Sequence, residues 1–235
     1  MMKIHNLLFL LSVLIMFSCQ NNSKDTTEKS LEQKNKTIKA KNDAPKPKYD
    51  LNTIVITDDN VVDFLTWYGE HNQETKVQIE CSYGNIEIEL YNETPLHRAN
   101  FIYLVKKNYF NTTYFHRVVK NFIVQGGNSD ETITQKERKN IGKYFIPAEF
   151  NKSLKHHYGA IASARSWENN PDKISNPFEF YFVQNKGGAH HLDGEHTVFG
   201  KIIKGFDVLD EIAQQKTDEG EYPLFNIKIK AKIIE

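Results

Sequence analysis

The sequence predicts a mainly β domain, closed as an antiparallel barrel, capped by two helices and preceded by a short helical extension. Three observations predict it. Short runs alternate apolar and polar residues, as in Val77/Ile79/Cys81 and Ile86/Ile88/Leu90, which is the period of a half-buried strand. Turn-forming residues punctuate these runs at Tyr83-Gly84, Lys120-Asn121 and Gln125-Gly126-Gly127. Helical spacing of apolar residues returns in only two places after residue 75. Many short strands with few helices suit full closure, which removes exposed sheet edges.

The elements follow in order. Residues 1–18 form a targeting segment: Lys3 supplies a positive start, and an apolar run over residues 7–17 is too short for a membrane span. It ends in Met16-Phe17-Ser18-Cys19. A small residue before a cysteine, after an apolar core, resembles a bacterial lipoprotein signal, with cleavage before Cys19 and acylation of its thiol and new amine. The alternatives are an uncleaved anchor or a plain secretory signal. Residues 19–50 are polar and rich in Lys, Asn, Thr and Glu, with Ala44-Pro45-Lys46-Pro47 near the end. Such a stretch buries too little apolar surface to fold and reads as a tether.

Residues 51–74 read as a small extension: a strand over residues 52–56, then a helix capped by Thr57 or Asp58 and ended by Gly69. Val61, Leu65 and Tyr68 recur at helical spacing with Phe64 beside them, a stripe expected to pack on the domain that follows. The barrel then begins with strands at 76–82 and 85–91. Thr94 is expected to cap a helix with Pro95 at its first position, carrying Ala99, Ile102, Tyr103 and Val105. Residues 115–127, FHRVVKNFIVQGG, read as two short strands around a turn, with His116 on the strand face opposite Arg117. Further strands are expected at 160–164, 180–183, 197–203 and 225–229, and a last helix near Phe206 with Val208, Leu209 and Ile212. Residues 128–151 and 168–176 read as surface loops.

Bulk properties narrow the function. The chain has 235 residues, with 30 basic and 30 acidic side chains. That balance lacks the clustered basic face of a nucleic-acid binder. Cys19 lies at the end of the leader, so Cys81 is the one thiol of the mature body and no disulfide framework is available. Cys81 falls in a strand and reads as a small core residue. The pairs His156-His157 and His190-His191 are poor chelates, because adjacent residues in extended chain point to opposite faces. No metal or other cofactor is expected.

Three stretches, FHRVVKNFIVQGG at 115–127, FEFYFVQ at 178–184 and HLDGEHTVFGKI at 191–202, occur in the order and near the spacing seen in cyclophilin-type peptidyl-prolyl isomerases. The chain resembles that family from about residue 75 to its end. The resemblance implies an eight-stranded cyclophilin-like barrel and an enzyme, EC 5.2.1.8, that acts as a monomer on proline-containing polypeptides. With the leader, it implies a lipid-anchored protein of the bacterial cell envelope, facing the periplasm and acting on exported clients. The rival reading is a module that grips proline segments, or an envelope interaction protein, with little turnover.

The resemblance also assigns residues. Arg117 matches the catalytic arginine. Phe122, Ile123, Tyr181 and Leu192 match the proline-pocket lining, Gln125 a residue that bonds the substrate backbone and steadies the arginine, and His196 the pocket-edge histidine. Ala164 and Arg165 match substrate-binding positions, the second usually Asn and used chiefly through its backbone. Glu179 stands where Gln is usual and is expected to compete for the Arg117 guanidinium, the alternative being that it orients that group. His191 replaces an aromatic residue common at the rim.

Overall fold

A computed structural model describes residues 48–235; the leader, Cys19 and residues 19–47 of the expected tether lie outside the described residues. The extension comes first. Strand β1 (Ile56–Thr57) leads into helix α1 (Val61–His71), which starts after Asn60 rather than Thr57 or Asp58 and runs past Gly69. The Asn60 side chain does not cap the helix; it bonds back to the Thr57 amide and the Val55 carbonyl. Val61, Phe64, Leu65 and Tyr68 are buried. Phe64 and Tyr68 each meet Tyr103 edge-on, with ring centroids 5.2 Å apart, so the predicted stripe packs on helix α2 (Pro95–Lys106).

Strands β2 (Lys76–Cys81) and β3 (Gly84–Leu90) form a hairpin that pairs Val77 with Ile88 and Ile79 with Ile86. All four are buried, as period-2 alternation requires. Pro95 opens α2 as expected, but Thr94 makes no capping bond. The orphan donors of the first turn go to Glu149, whose carboxylate accepts from the amides of Leu96 and His97 at 3.0 and 2.9 Å.

Next come β4 (Tyr114–Val119), β5 (Ile123–Asn128), β7 (Ala160–Ser163), β8 (Phe180–Val183), β9 (Val198–Lys204), helix α4 (Phe206–Ile212) and β10 (Lys230–Ile233). Eight strands make one antiparallel sheet in the order β10-β2-β3-β9-β7-β8-β5-β4. The expected barrel is a half-barrel, with no ladder joining β10 to β4. Residues 225–229 form no strand. They reach the β4 edge through one bridge, Tyr114 to Lys228, and through bonds from Phe115 N to Ile227 O and Ile229 N to Thr113 O. Regular pairing with β2 begins only at Lys230.

The second correction lies in residues 128–151, expected as loop. They contain helix α3 (Thr132–Ile141), followed by β6 (Gly142–Lys143), which pairs in parallel with β1. Only Thr134 and Ile141 of α3 are buried. A segment whose only aliphatic residues are Ile133 and Ile141 is too polar to stand out as a helix with a core-facing stripe. Polar anchors hold it instead, among them Thr134 to Ser129 and Arg138 to the Tyr109 hydroxyl.

Candidate functional site

The site is a row across three strands. Arg117 on β4 faces Gln125 on β5, and Gln125 faces Tyr181 on β8. Directly opposed residues share a face with Cβ atoms about 5 Å apart. Strict alternation from buried Phe115 would turn Arg117 into the core. A register shift prevents this: Phe115 pairs with Gly126 and Arg117 with Gln125, so His116 is the extra residue of a β-bulge. Bulges re-aim side chains in this way. His116 is therefore not on the opposite face, as expected, but 3.5 Å from the Glu179 carboxylate, itself bonded to Gln125.

Arg117 is held from two sides. Its Nε donates to Glu221 Oε2 at 2.6 Å, and its Nη1 reaches Gln125 Oε1 at 3.5 Å. Glu221 sits in a tight turn with φ at +67°. The Asp218 carboxylate accepts from the amides of Gly220 and Tyr222, and the Glu221 carbonyl accepts from Val118 N. Both side chains stay partly exposed, Arg117 at 36% and Glu221 at 41%.

Glu179 does not compete for Arg117. Its Oε2 accepts from Gln125 Nε2 at 3.0 Å and its Oε1 from Arg138 Nη2 at 3.2 Å. Burial pushes the Glu179 carboxyl up, but His116 and Arg138 outweigh it and leave the pKa below the usual carboxylate value. Arg138 also donates to the Gly127 carbonyl at 3.0 Å and lies over the Phe178 ring. Gly127 has φ at +96°, and a Cβ there would meet the Phe178 carbonyl oxygen at 2.1 Å. Only glycine suits that backbone.

Beside this polar row lies an apolar cluster distinct from the main core. Ile123, Ala162, Tyr181, Val183, Leu192 and Val198 are among its buried residues, with Phe122 packed against it. The structure thus brings Phe122, Ile123, Tyr181 and Leu192 together. His191 stacks on Phe122 at 5.5 Å. His196 meets the Tyr181 ring edge-on at 5.5 Å, and its Nδ1 bonds the Ser163 carbonyl. The Ala164 amide donates to the Glu179 carbonyl and its carbonyl accepts from Asn176 N. The Arg165 side chain turns aside to Glu195 at 2.7 Å.

The apolar cluster rests on a hydrogen-bonded chain. The Tyr181 hydroxyl lies 3.0 Å from His156 Nε2, and His156 Nδ1 lies 2.9 Å from Asp193 Oδ1. Burial drives the phenol far above its ordinary pKa and lowers His156, so Tyr181 donates to a neutral imidazole. Asp193 is raised by burial, but bonds from His156 and His190 more than reverse this and keep it a carboxylate. Glu221, Arg138, His156 and Asp193 have no local signal in the sequence. Glu221 lies 104 residues from its partner Arg117.

Acid should weaken this cluster. Burial, more than any neighbour, pushes His196 down to about 4, below its unfolded value of about 6.5. The unfolded chain takes up the proton first, so the stabilisation is present above pH 6.5 and lost as pH falls from about 6.5 to about 4. Its full size is on the order of 3 kcal/mol at 1.36 kcal/mol per pKa unit. Urea midpoints measured from pH 7 to 4.5 should fall, and His196→Gln should flatten the slope; an unchanged slope in the variant would show that His196 is not the group responsible.

Comparison with known proteins gives a consistent result. The family model described as cyclophilin type peptidyl-prolyl cis-trans isomerase/CLD matches residues 76–233. A peptidyl-prolyl cis-trans isomerase of Acinetobacter baylyi is 39% identical over 145 residues, covering 61% of this chain and 74% of its own. A peptidyl-prolyl cis-trans isomerase-like 2 protein of Rhizopus delemar is 38% identical over 164 residues, 69% of this chain, and the match spans only 29% of that longer protein. Among solved structures, a cyclophilin type peptidyl-prolyl cis-trans isomerase of Cryptosporidium parvum, crystallised in the presence of the dipeptide Ala-Pro, superimposes with a TM-score of 0.57. It is 26% identical and covers 68% of this chain and 99% of its own.

Proposed function

The chain belongs to the cyclophilin-type peptidyl-prolyl cis-trans isomerase family, and from that premise we propose that its cleft speeds Xaa-Pro rotation in exported proteins by an arginine donor and an apolar proline pocket. It is a peptidyl-prolyl cis-trans isomerase, EC 5.2.1.8. The observation that carries the mechanism is the placement of Arg117 in the Arg117–Gln125–Tyr181 row, beside the pocket of Phe122, Ile123, Tyr181 and Leu192.

Amide resonance sets a barrier of about 18–20 kcal/mol to peptide rotation. Rotation breaks the resonance and leaves a lone pair on the prolyl nitrogen. The apolar pocket seats the proline ring away from water. Arg117 donates an N–H where the lone pair develops, so the twisted amide is bound better than either planar isomer. No bond is made or broken to the protein, no proton is transferred, and the reaction asks for no cofactor. The proline-containing dipeptide named with the Cryptosporidium structure supports this class of substrate.

Turnover of a short Xaa-Pro peptide by the full-length protein tests the reading. A protein that binds the peptide and leaves its isomerisation at the background rate is instead a proline-segment binder.

The site of action is the cell envelope. The ending Met16-Phe17-Ser18-Cys19 and the polar stretch behind it support acylation at Cys19, with the monomeric domain tethered to a membrane and facing the periplasm. One acyl chain binds a membrane only marginally, so stable anchoring needs two or more. The protein should therefore fractionate with membranes, and Cys19→Ser should release it or leave it unprocessed. A wild-type protein that is mature, unmodified and freely soluble would reject the anchor.

A further inference from the structure

Trp167 is 62% exposed, but its ring is fixed from behind. The Arg165 guanidinium lies 4.2 Å from the ring centroid. Arg165 is itself covered, with its side chain 4% exposed. Its Nε donates to the Glu195 carbonyl at 2.6 Å, its Nη2 to the Glu195 carboxylate at 2.7 Å and its Nη1 to the Ser166 carbonyl at 2.9 Å. Lys173 bonds the other carboxylate oxygen of Glu195 at 2.7 Å. A planar guanidinium locked by its own donors is a rigid support for an aromatic ring.

The ring also continues the pocket. Trp167 meets His196 edge-on at 5.1 Å, and His196 meets Tyr181 edge-on at 5.5 Å. Three rings thus form one wall that climbs from the buried floor at Tyr181 to solvent at Trp167. A lone exposed aromatic residue is ordinary. One stiffened by a buried cation and joined to a binding pocket has the features of a subsite: a large flat area whose ordering cost is already met in the free protein.

We propose that Trp167 binds an aromatic or aliphatic side chain of the client, within about three residues of the proline; this rests on the isomerase reading above. The distance follows from the wall. Two ring-to-ring steps of 5.5 and 5.1 Å separate Tyr181 from Trp167, and extended chain advances about 3.3 Å per residue. The class follows from the electrostatics. Arg165 already draws on the π density of the ring, so a second cation gains little there. A carboxylate laid on the ring face would lose solvation there. Neutral side chains with flat or branched apolar surface fit best.

The test uses the full chain and peptides with one proline in an otherwise Gly background, carrying Phe, Leu, Lys or Glu at each of three positions on either side. Calorimetry gives Kd, and isomerisation of the all-Gly peptide is followed in parallel. At one position Phe should bind about three- to tenfold tighter than Gly or Lys. Trp167→Ala should remove that ratio, and Trp167→Phe, which keeps an aromatic edge against His196, should retain much of it. The subsite is overturned if no position favours Phe in the wild type, or if the ratio survives in Trp167→Ala. Kd is read whether or not the peptide turns over, so missing isomerisation of the all-Gly peptide rejects the isomerase reading alone.

Discussion

Arg117→Ala is expected to lower kcat/KM by about 10²–10³-fold, the usual consequence of removing one well-placed donor, worth about 2.7–4 kcal/mol of transition-state stabilisation. A guanidinium has five N–H donors. Glu221 engages one and Gln125, at 3.5 Å, weakly engages a second, which leaves three without a protein acceptor among the described residues. Glu221 accepts from the Nε–H, so it orients the group while sparing the Nη donors. The fold should not suffer. Arg117 and Glu221 are both more than a third exposed, and such pairs contribute about 0–1 kcal/mol. Chemical unfolding of the variant should therefore superimpose on wild type within about 0.5 kcal/mol. Arg117→Lys should recover little, because an ammonium cannot hold Glu221 and present a second donor in one plane. Near wild-type turnover in Arg117→Ala would mean that another group stabilises the twisted amide.

The parts of this site differ in how far local sequence reports them. Val77, Ile79, Ile86 and Ile88 announce a hairpin because a strand with one buried face must alternate, and the structure pairs them as that pattern requires. The apolar residues Phe122, Ile123, Tyr181 and Leu192 are visible as types, and the order of three motifs associates them. The bulge at His116 is not visible, because one inserted residue leaves composition unchanged while reversing which face Arg117 takes. Helix α3 is hidden for a different reason: its stability comes from polar anchors rather than an apolar stripe. The charged partners are hidden by distance. Nothing near Glu179 signals that Arg138, 41 residues away, will neutralise it, and the reading of Glu179 as a competitor for Arg117 fails on that point. The edge between β4 and β10 shows the limit of propensity. Ile227 and Ile229 are apolar and buried, but they meet β4 by single bonds rather than a ladder.

Arg138→Ala should be the most destabilising single change among the charged residues of the site. It leaves the Glu179 carboxylate, 14% exposed, without its arginine partner, and it removes donors from Gly127 O and Tyr109. Breaking a buried pair by deleting one partner costs about 3–5 kcal/mol. The lower end is expected here, because Gln125 and His116 still face Glu179 and Arg138 is itself 26% exposed. Glu179→Gln should cost much less, since the amide oxygen still accepts from Arg138. In the double variant Arg138→Ala/Glu179→Gln no buried charge is stranded, so it should be more stable than Arg138→Ala alone, with a coupling energy of about 0.5–3 kcal/mol in the cycle. The pH dependence has a definite sign. Glu179 is depressed in the fold, so its contribution is present above the unfolded carboxyl value of about 4.3 and is lost as pH falls through the folded value. Glu179→Gln should remove that part of the acid loss. Turnover follows through Gln125, which Glu179 holds toward Arg117. Arg138→Ala should slow isomerisation, but by less than Arg117→Ala, because the donor itself survives. Unfolding midpoints and kcat/KM for the four proteins decide the matter: strict additivity in both would mean that α3 and the cleft do not communicate through the Arg138–Glu179 pair.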